Sequence, residues 1–379
     1  MRIFYVSQEA PTNTKSTLWK NNLHDSLIDL GHEVITFPLD SSQNINQFSN
    51  TLFKSIKNEN DLNPITLFFS YLDDSSITPE TIDEIKALEI TTVNWFCNAS
   101  YQFYLVKKIS PHYDYCLVPE KFRIKDYNAI GANPLYCQEA ANPNIYKPYD
   151  LKKEFDVTFI GQAYGDRPEY VDFLVKNGIK INVWGPYWNQ FAANRHTLFM
   201  TFLRSMKALI LNRPTTKVSH ILPNEIIGPP LSDANMIKMF SRSKINLGFS
   251  SCDTKTKDEP AIKQIRLRDF EVPMSGGFYM VEYMEELEEF FEIGKEIVCY
   301  ENKEDLVEKI RFYLKSDSAR EKIRIAGHKR CIKDHSWQKR FSNVFTQIFY
   351  SYIKRNINEY IAAKNYVSSH DQKNTETTY

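Results

Sequence analysis

The fold is decided by the stretch Arg266-Leu267-Arg268-Asp269-Phe270-Glu271-Val272-Pro273-Met274-Ser275-Gly276-Gly277-Phe278-Tyr279. Its first part, residues 267–272, predicts a short helix, and residues 277–281 predict an apolar strand. Two adjacent glycines join them, because glycine adopts backbone conformations that other residues avoid in tight turns. The stretch therefore predicts one helix–turn–strand unit of an α/β fold.

The same alternation of strands and helices extends in both directions from this unit. Short apolar runs predict strands at 3–6, 33–37, 65–71, 90–96, 113–118 and 134–138, and again at 155–160, 179–184, 245–249 and 296–300. Helical patterns separate them, for example at 100–110, 168–177, 232–241 and 303–314. Such alternation is typical of parallel sheets with helices on both faces. We predict an α/β protein of two doubly wound, Rossmann-like domains that face a cleft.

The segment 142–148, Asn-Pro-Asn-Ile-Tyr-Lys-Pro, interrupts the alternation and predicts a linker. We therefore expect a first domain at 1–144, a second domain at 145–345 and a C-terminal segment at 346–379. Residues 318–363 predict helices with breaks near Gly327 and His335. We expect these helices to cross back and pack on the first domain, followed by a polar tail.

The composition excludes several classes of protein. The chain has 379 residues, 47 Lys and Arg against 47 Asp and Glu, and 42% hydrophobic residues. It can therefore bury real cores, and without net charge it has no overall attraction for nucleic acid. Its six cysteines form no CxxC pair, so we expect buried, reduced thiols and no metal site. No signal peptide is recognisable, and we predict a cytoplasmic location.

The residues around the glycine doublet have the chemistry of a nucleotide site. Arg266 and Arg268 offer forked donors that suit a diphosphate, and a carboxylate such as Glu271 accepts the hydroxyl groups of a ribose. At Gly276 and Gly277 a ligand can approach backbone N–H groups closely. From spacing alone, a surface helix with an ordinary glycine turn fits equally well. Because the two arginines are two positions apart on the predicted helix, we expect at most one to face the phosphates.

Further pieces of the second half follow in a defined order. They are Arg268-Asp269-Phe270-Glu271, Gly276-Gly277-Phe278, Glu296-Ile297-Val298-Cys299-Tyr300 with Glu304-Asp305-Leu306, Ala326-Gly327-His328, and His335-Ser336-Trp337 with Arg340. In these pieces the chain resembles the C-terminal half of group 1 glycosyltransferases of the GT-B fold, and more narrowly their spore-maturation-type subgroup. Residues 156–161 with Arg167 resemble the same subgroup. The resemblance covers most of residues 1–345.

The resemblance implies transfer of a sugar from a nucleotide-diphosphate sugar to an acceptor, without a metal ion. It implies that the domain at 1–144 is the acceptor side and that the domain at 145–345 binds the nucleotide sugar. It implies that Glu271 contacts the donor ribose and that the turn Gly276-Gly277 approaches the phosphates. It also implies a phosphate site at Gly161 and Arg167, and it favours Arg268 over Arg266 as the cation on the diphosphate. We expect no cofactor, because the nucleotide sugar, expected to be linked to uridine diphosphate (UDP), is a substrate.

Two positions depart from the family pattern. Lys263 stands where related retaining enzymes carry a glutamate, and Gln162 stands where they tend to carry an arginine. Lys263 could supply positive charge near the phosphates. The departures leave the stereochemical outcome open, and they support the alternative of a non-catalytic protein that binds sugar nucleotides. A nucleotide-sugar epimerase or a phosphorylase on the same fold are further alternatives.

The catalytic base is predicted among carboxylates at strand ends of the first half. Glu9 follows the first predicted strand and Glu139 follows the last. An inverting transfer needs a carboxylate or histidine within hydrogen-bond reach of the acceptor hydroxyl. We predict Glu9, with Glu139 as a comparable alternative; a surface carboxylate is the other interpretation of Glu9.

The acceptor is left open between a glycan, a protein and a lipid-linked molecule. The segment 198–211 is strongly apolar, with Arg204 and Lys207 interspersed. It predicts a core helix or a lid over the acceptor site, and the alternative is a weak peripheral contact with a membrane surface.

Overall fold

Two parallel sheets of six strands each organise the protein. The computed structural model describes residues 1–7, 19–40, 42–193, 220–252 and 262–350, together with the single positions 199, 203, 206 and 207. Glu9 and most of the segment 198–211 lie outside the described residues. Within the described ranges, no helix combines the length and the apolar character needed to cross a bilayer.

The first sheet has the strand order β2-β1-β3-β4-β5-β6. Its strands are β1 (Arg2–Ser7), β2 (Glu33–Pro38), β3 (Leu67–Ser70), β4 (Thr91–Trp95), β5 (Tyr115–Val118) and β6 (Pro134–Tyr136). The helices around it are α1 (Asp25–Asp29), α2 (Ile45–Leu62), α3 (Pro79–Lys86), α4 (Ala99–Gln102) and α5 (Ile124–Ala129), and a π-helical turn, Lys20–His24, precedes α1. All six predicted strands are confirmed.

The second sheet has the order β12-β11-β10-β7-β8-β9. Its strands are β7 (Phe155–Ile160), β8 (Ile181–Trp184), β9 (Ile227–Gly228), β10 (Ser243–Gly248), β11 (Tyr279–Glu282) and β12 (Val298–Tyr300). Its helices are α6 (Arg167–Lys176), α7 (Asp233–Arg242), α8 (Leu267–Met274), α9 (Lys303–Lys315) and α10 (Asp317–Asp334). The two-residue strand β9 was not predicted, because it is too short to give an apolar run.

Apolar side chains cover both faces of the second sheet. Val157 and Ile245 pack on one face against α6 and α9, and Tyr279 and Val281 pack on the other face against α7, α8 and α10. Because both faces of the sheet are buried, its strands appear in the sequence as continuous apolar runs. The α/β architecture of two doubly wound domains is therefore confirmed.

A final helix over 337–350, α11, returns to the first sheet. Trp337, Phe341 and Phe345 belong to the same apolar core as β1, β3 and β4. The ring centroids of Trp337 and Trp95 lie 5.0 Å apart in an edge-to-face contact, and both side chains are fully buried. The predicted crossing of the C-terminal helices back to the first domain is confirmed.

The chain passes between the two sheets at residues 137–154 and again at 335–337. The two passages run side by side, because the Ala141 N–H donates to the His335 carbonyl and the Trp337 N–H donates to the Ala141 carbonyl. The predicted boundary at 144/145 lies within the first passage. The side chain of Asn142 also donates to the backbone carbonyl of Asn21 at 2.9 Å, which ties the linker to the first domain.

The predicted helix at 100–110 is wrong beyond its first turn. Only α4 is α-helical, and short 3₁₀ turns follow at Phe103–Leu105 and Ser110–His112. The loop at Asp74 explains the difference. Its carboxylate accepts from the N–H groups of Lys108 and Ile109, and its own N–H donates to the carbonyl of Leu105. Backbone groups that a continuous helix needs are thereby bonded elsewhere.

The predicted break near Gly327 is also wrong, whereas the break at His335 is confirmed. Helix α10 continues through Gly327 to Asp334. A Cβ atom at position 327 would lie 2.2 Å from the carbonyl oxygen of Glu296. The glycine therefore allows a close approach between the helix and the chain before β12.

Candidate functional site

A cleft of about 320 Å³ lies between the two domains. It opens where strands end: Cys97 and Asn98 follow β4, Glu139 follows β6, and Gly161 and Phe249 follow β7 and β10. Ligands of doubly wound sheets bind at such carboxyl ends. The remaining lining residues are Trp19, Phe159, Ile160, Tyr164, Arg167, Leu247, Gly248, Gln264, Arg266, Leu267, Arg268 and Tyr279.

Arg167 begins helix α6 and lies in the wall of the cleft. Its guanidinium carbon is 3.9 Å from the ring centroid of Tyr164, and its nitrogens donate to the Tyr164 hydroxyl and the Gln162 carbonyl at 2.9 Å each. Burial lowers the pKa of Arg167 to about 10, so the side chain remains a cation at neutral pH. Stacking fixes the plane of the guanidinium before any ligand arrives.

Arg266 and Arg268 both line the same cleft, and the expectation that at most one of them faces the phosphates stays a prediction. Arg266 is not part of the helix: it has extended backbone angles, and its N–H donates to Asp269 at 2.8 Å. Helical spacing therefore does not separate the two side chains. Arg266 donates to the carbonyl of Ser251 at 3.0 Å, whereas Arg268 forms an ion pair with Glu271.

The three arginines share an unusual feature. The Nε atom of each one is buried and has no hydrogen-bond partner. In addition, no ion pair joins Arg167 or Arg266 to a carboxylate among the described residues. Unpaired buried donors on cations are costly, and they are typical of a site that an anion completes. The arrangement can bind a group with several negative oxygens.

Glu139 faces these cations from the first domain. Its side chain is 4% exposed, and its Oε2 atom has no hydrogen-bond partner. Burial, with the nearby charge of Glu120, raises the pKa of Glu139 well above its ordinary value, although Arg266 opposes the shift. Such a carboxyl can hold or release a proton at the site.

The structure does not bring the other predicted donor residues to the cleft wall. Lys263 forms an ion pair with Glu282 at 3.0 Å and donates to the carbonyl of Tyr283 at 2.7 Å. The N–H groups of Gly276 and Gly277 donate to the carbonyls of Pro273 and Val272 at 2.9 Å each. These backbone donors are therefore engaged within their own turn, and the roles implied by the resemblance remain predictions.

Glu271 is fully buried at the contact between the domains. One carboxylate oxygen accepts from the side-chain amide of Asn22 at 3.1 Å, and the other accepts from Arg268. Its ribose contact also remains a prediction. Gly161 does line the cleft, where its carbonyl accepts from the indole of Trp188 at 2.8 Å and its N–H donates to the Trp184 carbonyl at 2.9 Å.

Sequence reasoning missed several residues of the cleft. Trp19 contributes an aromatic wall and packs on Tyr71, with ring centroids 4.4 Å apart. Tyr164 holds Arg167, and its position three residues before that arginine was the available signal. Gln264 and Cys97 also line the cleft, but neither lies in a recognisable motif.

Solved structures with the same two-sheet arrangement identify the fold. Sucrose-phosphate synthase from Thermosynechococcus elongatus matches with a TM-score of 0.55 and 11% identity, over 92% of this chain and 99% of its own. The chain has the GT-B fold. Alr3699/HepE of Anabaena, solved in complex with UDP and glucose, matches this GT-B chain with a TM-score of 0.55 and 9% identity, over 92% and 99% of the two chains. AviGT4, a glycosyltransferase involved in avilamycin A biosynthesis, matches with a TM-score of 0.54 and 12% identity, over 91% and 96%.

The sequence comparisons concern the second GT-B domain. Residues 167–346 match the model of a family described as glycosyl transferase-like. The match begins at Arg167 and ends in the return helix α11, so it contains all three arginines of the cleft. A search of curated protein sequences gives no match.

Proposed function

We propose that this protein transfers a sugar from a nucleotide-diphosphate donor to an acceptor hydroxyl in the cleft between its domains. The observation that carries the proposal is the set of three arginines on one wall, Arg167, Arg266 and Arg268, whose Nε atoms are buried and have no hydrogen-bond partner. The glycosyl transferase-like match over residues 167–346 and the GT-B fold support it.

The arginines suit the charge that develops when the sugar leaves. The bond between the sugar and the diphosphate breaks with its electron pair on a phosphate oxygen. Fixed cations at a water-poor site stabilise that charge without reorganising, and such terms are usually large in catalysis. We propose a transfer without a metal ion, because the cleft already supplies the cations Arg167 and Arg266, which form no ion pair among the described residues, beside the paired Arg268.

The donor is proposed to lie against the second domain, with its phosphates between Gly161 and the arginines. The complexes of the Anabaena protein with UDP support a UDP-linked sugar as the first donor to test. The proposed ribose contact at Glu271 requires that Asn22 release one carboxylate oxygen. We also propose that the protein belongs to the spore-maturation-type subgroup, which the motif pieces around Gly276 and His335 support. We propose a cytoplasmic location as well.

Glu139 is the proposed acid–base residue. It lies on the first-domain wall, opposite the arginines, where an acceptor would enter. A carboxyl within hydrogen-bond reach of both substrates can move a proton between them. Closure of the two domains would hold donor and acceptor together and exclude water.

The first experiment is calorimetry of the full chain with uridine, guanosine, thymidine and cytidine diphosphates. We expect one of them to bind with micromolar affinity. Product analysis with the matching nucleotide sugars and a panel of glycan acceptors then identifies the reaction. A new glycoside supports transfer, an isomerised donor without acceptor supports an epimerase, and tight binding without turnover supports a binding protein. Failure of all four nucleotides to bind would contradict the proposal.

A further inference from the structure

Two buried carboxyl groups lie on neighbouring walls of the first domain. Glu139 lines the main cleft, and Glu120, which follows β5, lines a separate cavity of about 10 Å³. Each side chain is 4% exposed, and each has an Oε2 atom without a hydrogen-bond partner. Cys97 and Gln264 line both spaces, so they form the partition between them.

The two carboxyl groups differ in their partners. Glu120 accepts from the N–H and the hydroxyl of Ser100 at 3.1 Å each, and the same hydroxyl also contacts the side chain of Gln264. For Glu139, the Oε2 atom has no hydrogen-bond partner, the side chain forms a hydrogen bond with the thiol of Cys97, and no ion pair is found among the described residues. A buried carboxylate with one unpartnered oxygen and only a thiol, a weak donor, beside it is strongly disfavoured, because little replaces its hydration. Glu139 is therefore held in its neutral form, whereas Ser100 stabilises the charged form of Glu120.

We propose that Glu139 enters the reaction as a neutral carboxylic acid and serves as a proton shuttle between acceptor and diphosphate, kept protonated by the neighbouring charge of Glu120. The inference rests on the proposed function. Glu139 is the catalytic residue, and Glu120 is a positioning residue that acts through it.

The reaction step balances within this arrangement. The acceptor oxygen bonds to the anomeric carbon of the sugar, and its proton passes to one oxygen of Glu139. The bond from the anomeric carbon to the diphosphate oxygen breaks, and the electron pair stays on that oxygen. That oxygen takes the proton that the other oxygen of Glu139 held. Glu139 ends the step protonated, so each turnover resets it.

Burial raises the pKa of Glu120 to about 7. Above that pH Glu120 is ionised, and its negative charge opposes loss of the proton from Glu139. Arg266 is the cation that favours ionisation of Glu139, and Arg123 is the cation beside Glu120. The other titratable groups that face the pair are Tyr71, Cys97, Tyr127, Cys252, Asp269 and Glu271.

Infrared spectroscopy of the folded, ligand-free protein tests the protonation state directly. At pH 8 the spectrum of the wild type minus that of Glu139→Gln should contain the C=O stretch of one protonated carboxylic acid. With Glu120→Gln, that band should disappear at a pH at least one unit lower than in the wild type, because the opposing charge is removed. The control is Glu286→Gln, which removes a carboxyl from the wall of the small cavity and should leave the titration unchanged.

Turnover and binding complete the test. Glu139→Gln should lower kcat by at least a hundredfold while the affinity for UDP changes less than threefold. Glu120→Gln should move the alkaline decline of kcat to lower pH. The proposed proton shuttle would be overturned if the C=O band of protonated Glu139 is absent at pH 8, or if Glu120→Gln leaves the titration of that band unchanged. Either result would stand even if the protein proves to be a transferase. Should Glu139→Gln not fold, the titration of Glu120→Gln still decides.

Discussion

The side-chain amide of Asn22 in the first domain donates to the carboxylate of Glu271 in the second domain at 3.1 Å. Both side chains are buried, and the hydroxyl of Tyr146 in the linker lies 3.4 Å from the same amide nitrogen. The carboxylate predicted to hold a ribose is thus a polar contact that joins the two domains. The proposed ribose contact at Glu271 would therefore require this contact between the domains to open.

We expect Asn22→Ala to lower the free energy of unfolding by about 1–3 kcal/mol, because one carboxylate oxygen of buried Glu271 loses its partner. Urea unfolding monitored by tryptophan fluorescence measures the change. The control is Asn50→Ala, an exposed position on α2, which should change stability by less than about 0.5 kcal/mol. Equal effects of the two substitutions would contradict a structural role of the contact.

Glu271→Ala should weaken binding of the preferred nucleoside diphosphate by about tenfold, because the ribose loses its carboxylate acceptor. Calorimetry gives the affinity, and thermal unfolding reports whether the variant remains folded. An affinity equal to that of the wild type in a folded variant would restrict Glu271 to its contact with Asn22.

Arg167→Ala and Arg266→Ala should each lower nucleotide affinity by about tenfold to a hundredfold, since a charge-assisted hydrogen bond contributes about 1.5–3 kcal/mol. The matched control is Arg311→Ala, which removes an exposed arginine of α9 that bonds the carbonyl of Asn177. A loss as large in the control would show that overall charge, and not the cleft, governs binding.

Gly327→Ala tests the close approach between α10 and Glu296. An alanine in place of glycine normally stabilises a helix by about 1 kcal/mol. Here we expect a loss of about 1–3 kcal/mol, because the new Cβ would meet the Glu296 carbonyl oxygen at 2.2 Å. Chemical denaturation gives the sign, and Ser318→Ala at an exposed position of the same helix should be neutral or stabilising.

Burial lowers the pKa of His335 from 6.5 to about 4, where the ring packs among Phe270, Phe290 and Phe291. Between pH 6.5 and 4 the unfolded chain binds this proton and the folded chain does not, so this contribution to stability is lost as the pH falls. His335→Gln keeps a donor for the Phe290 carbonyl and should reduce the loss of stability between pH 7 and pH 5.

The difference between the free energies of unfolding at pH 7 and pH 5 gives this pH dependence for the wild type and for each variant. Asn50→Gln, at an exposed position without a titratable group, supplies the control and should leave the pH dependence of the wild type unchanged. If His335→Gln loses as much stability between pH 7 and pH 5 as the wild type, the contribution assigned to His335 is wrong.

Local patterns predicted much of the fold. Apolar runs marked eleven of the twelve described strands, and the helix predicted at 232–241 is present as α7. The helix prediction at 100–110 failed because a distant residue, Asp74, forms hydrogen bonds with the backbone at residues 105–109. The close packing at Gly327 is equally invisible in a local pattern, because its cause lies thirty-one residues away at Glu296.

The sequence by itself determined the two α/β domains, the return of the C-terminal helix and the cationic character of the stretch around Arg266 and Arg268. It did so because periodicity and side-chain chemistry are local properties of a chain. Only the tertiary structure decided which groups meet in the cleft. It places Arg167 beside Arg266, leaves one carboxyl oxygen of Glu139 without a hydrogen-bond partner, and turns Glu271 toward Asn22, since burial and pairing depend on residues that are far apart in the chain.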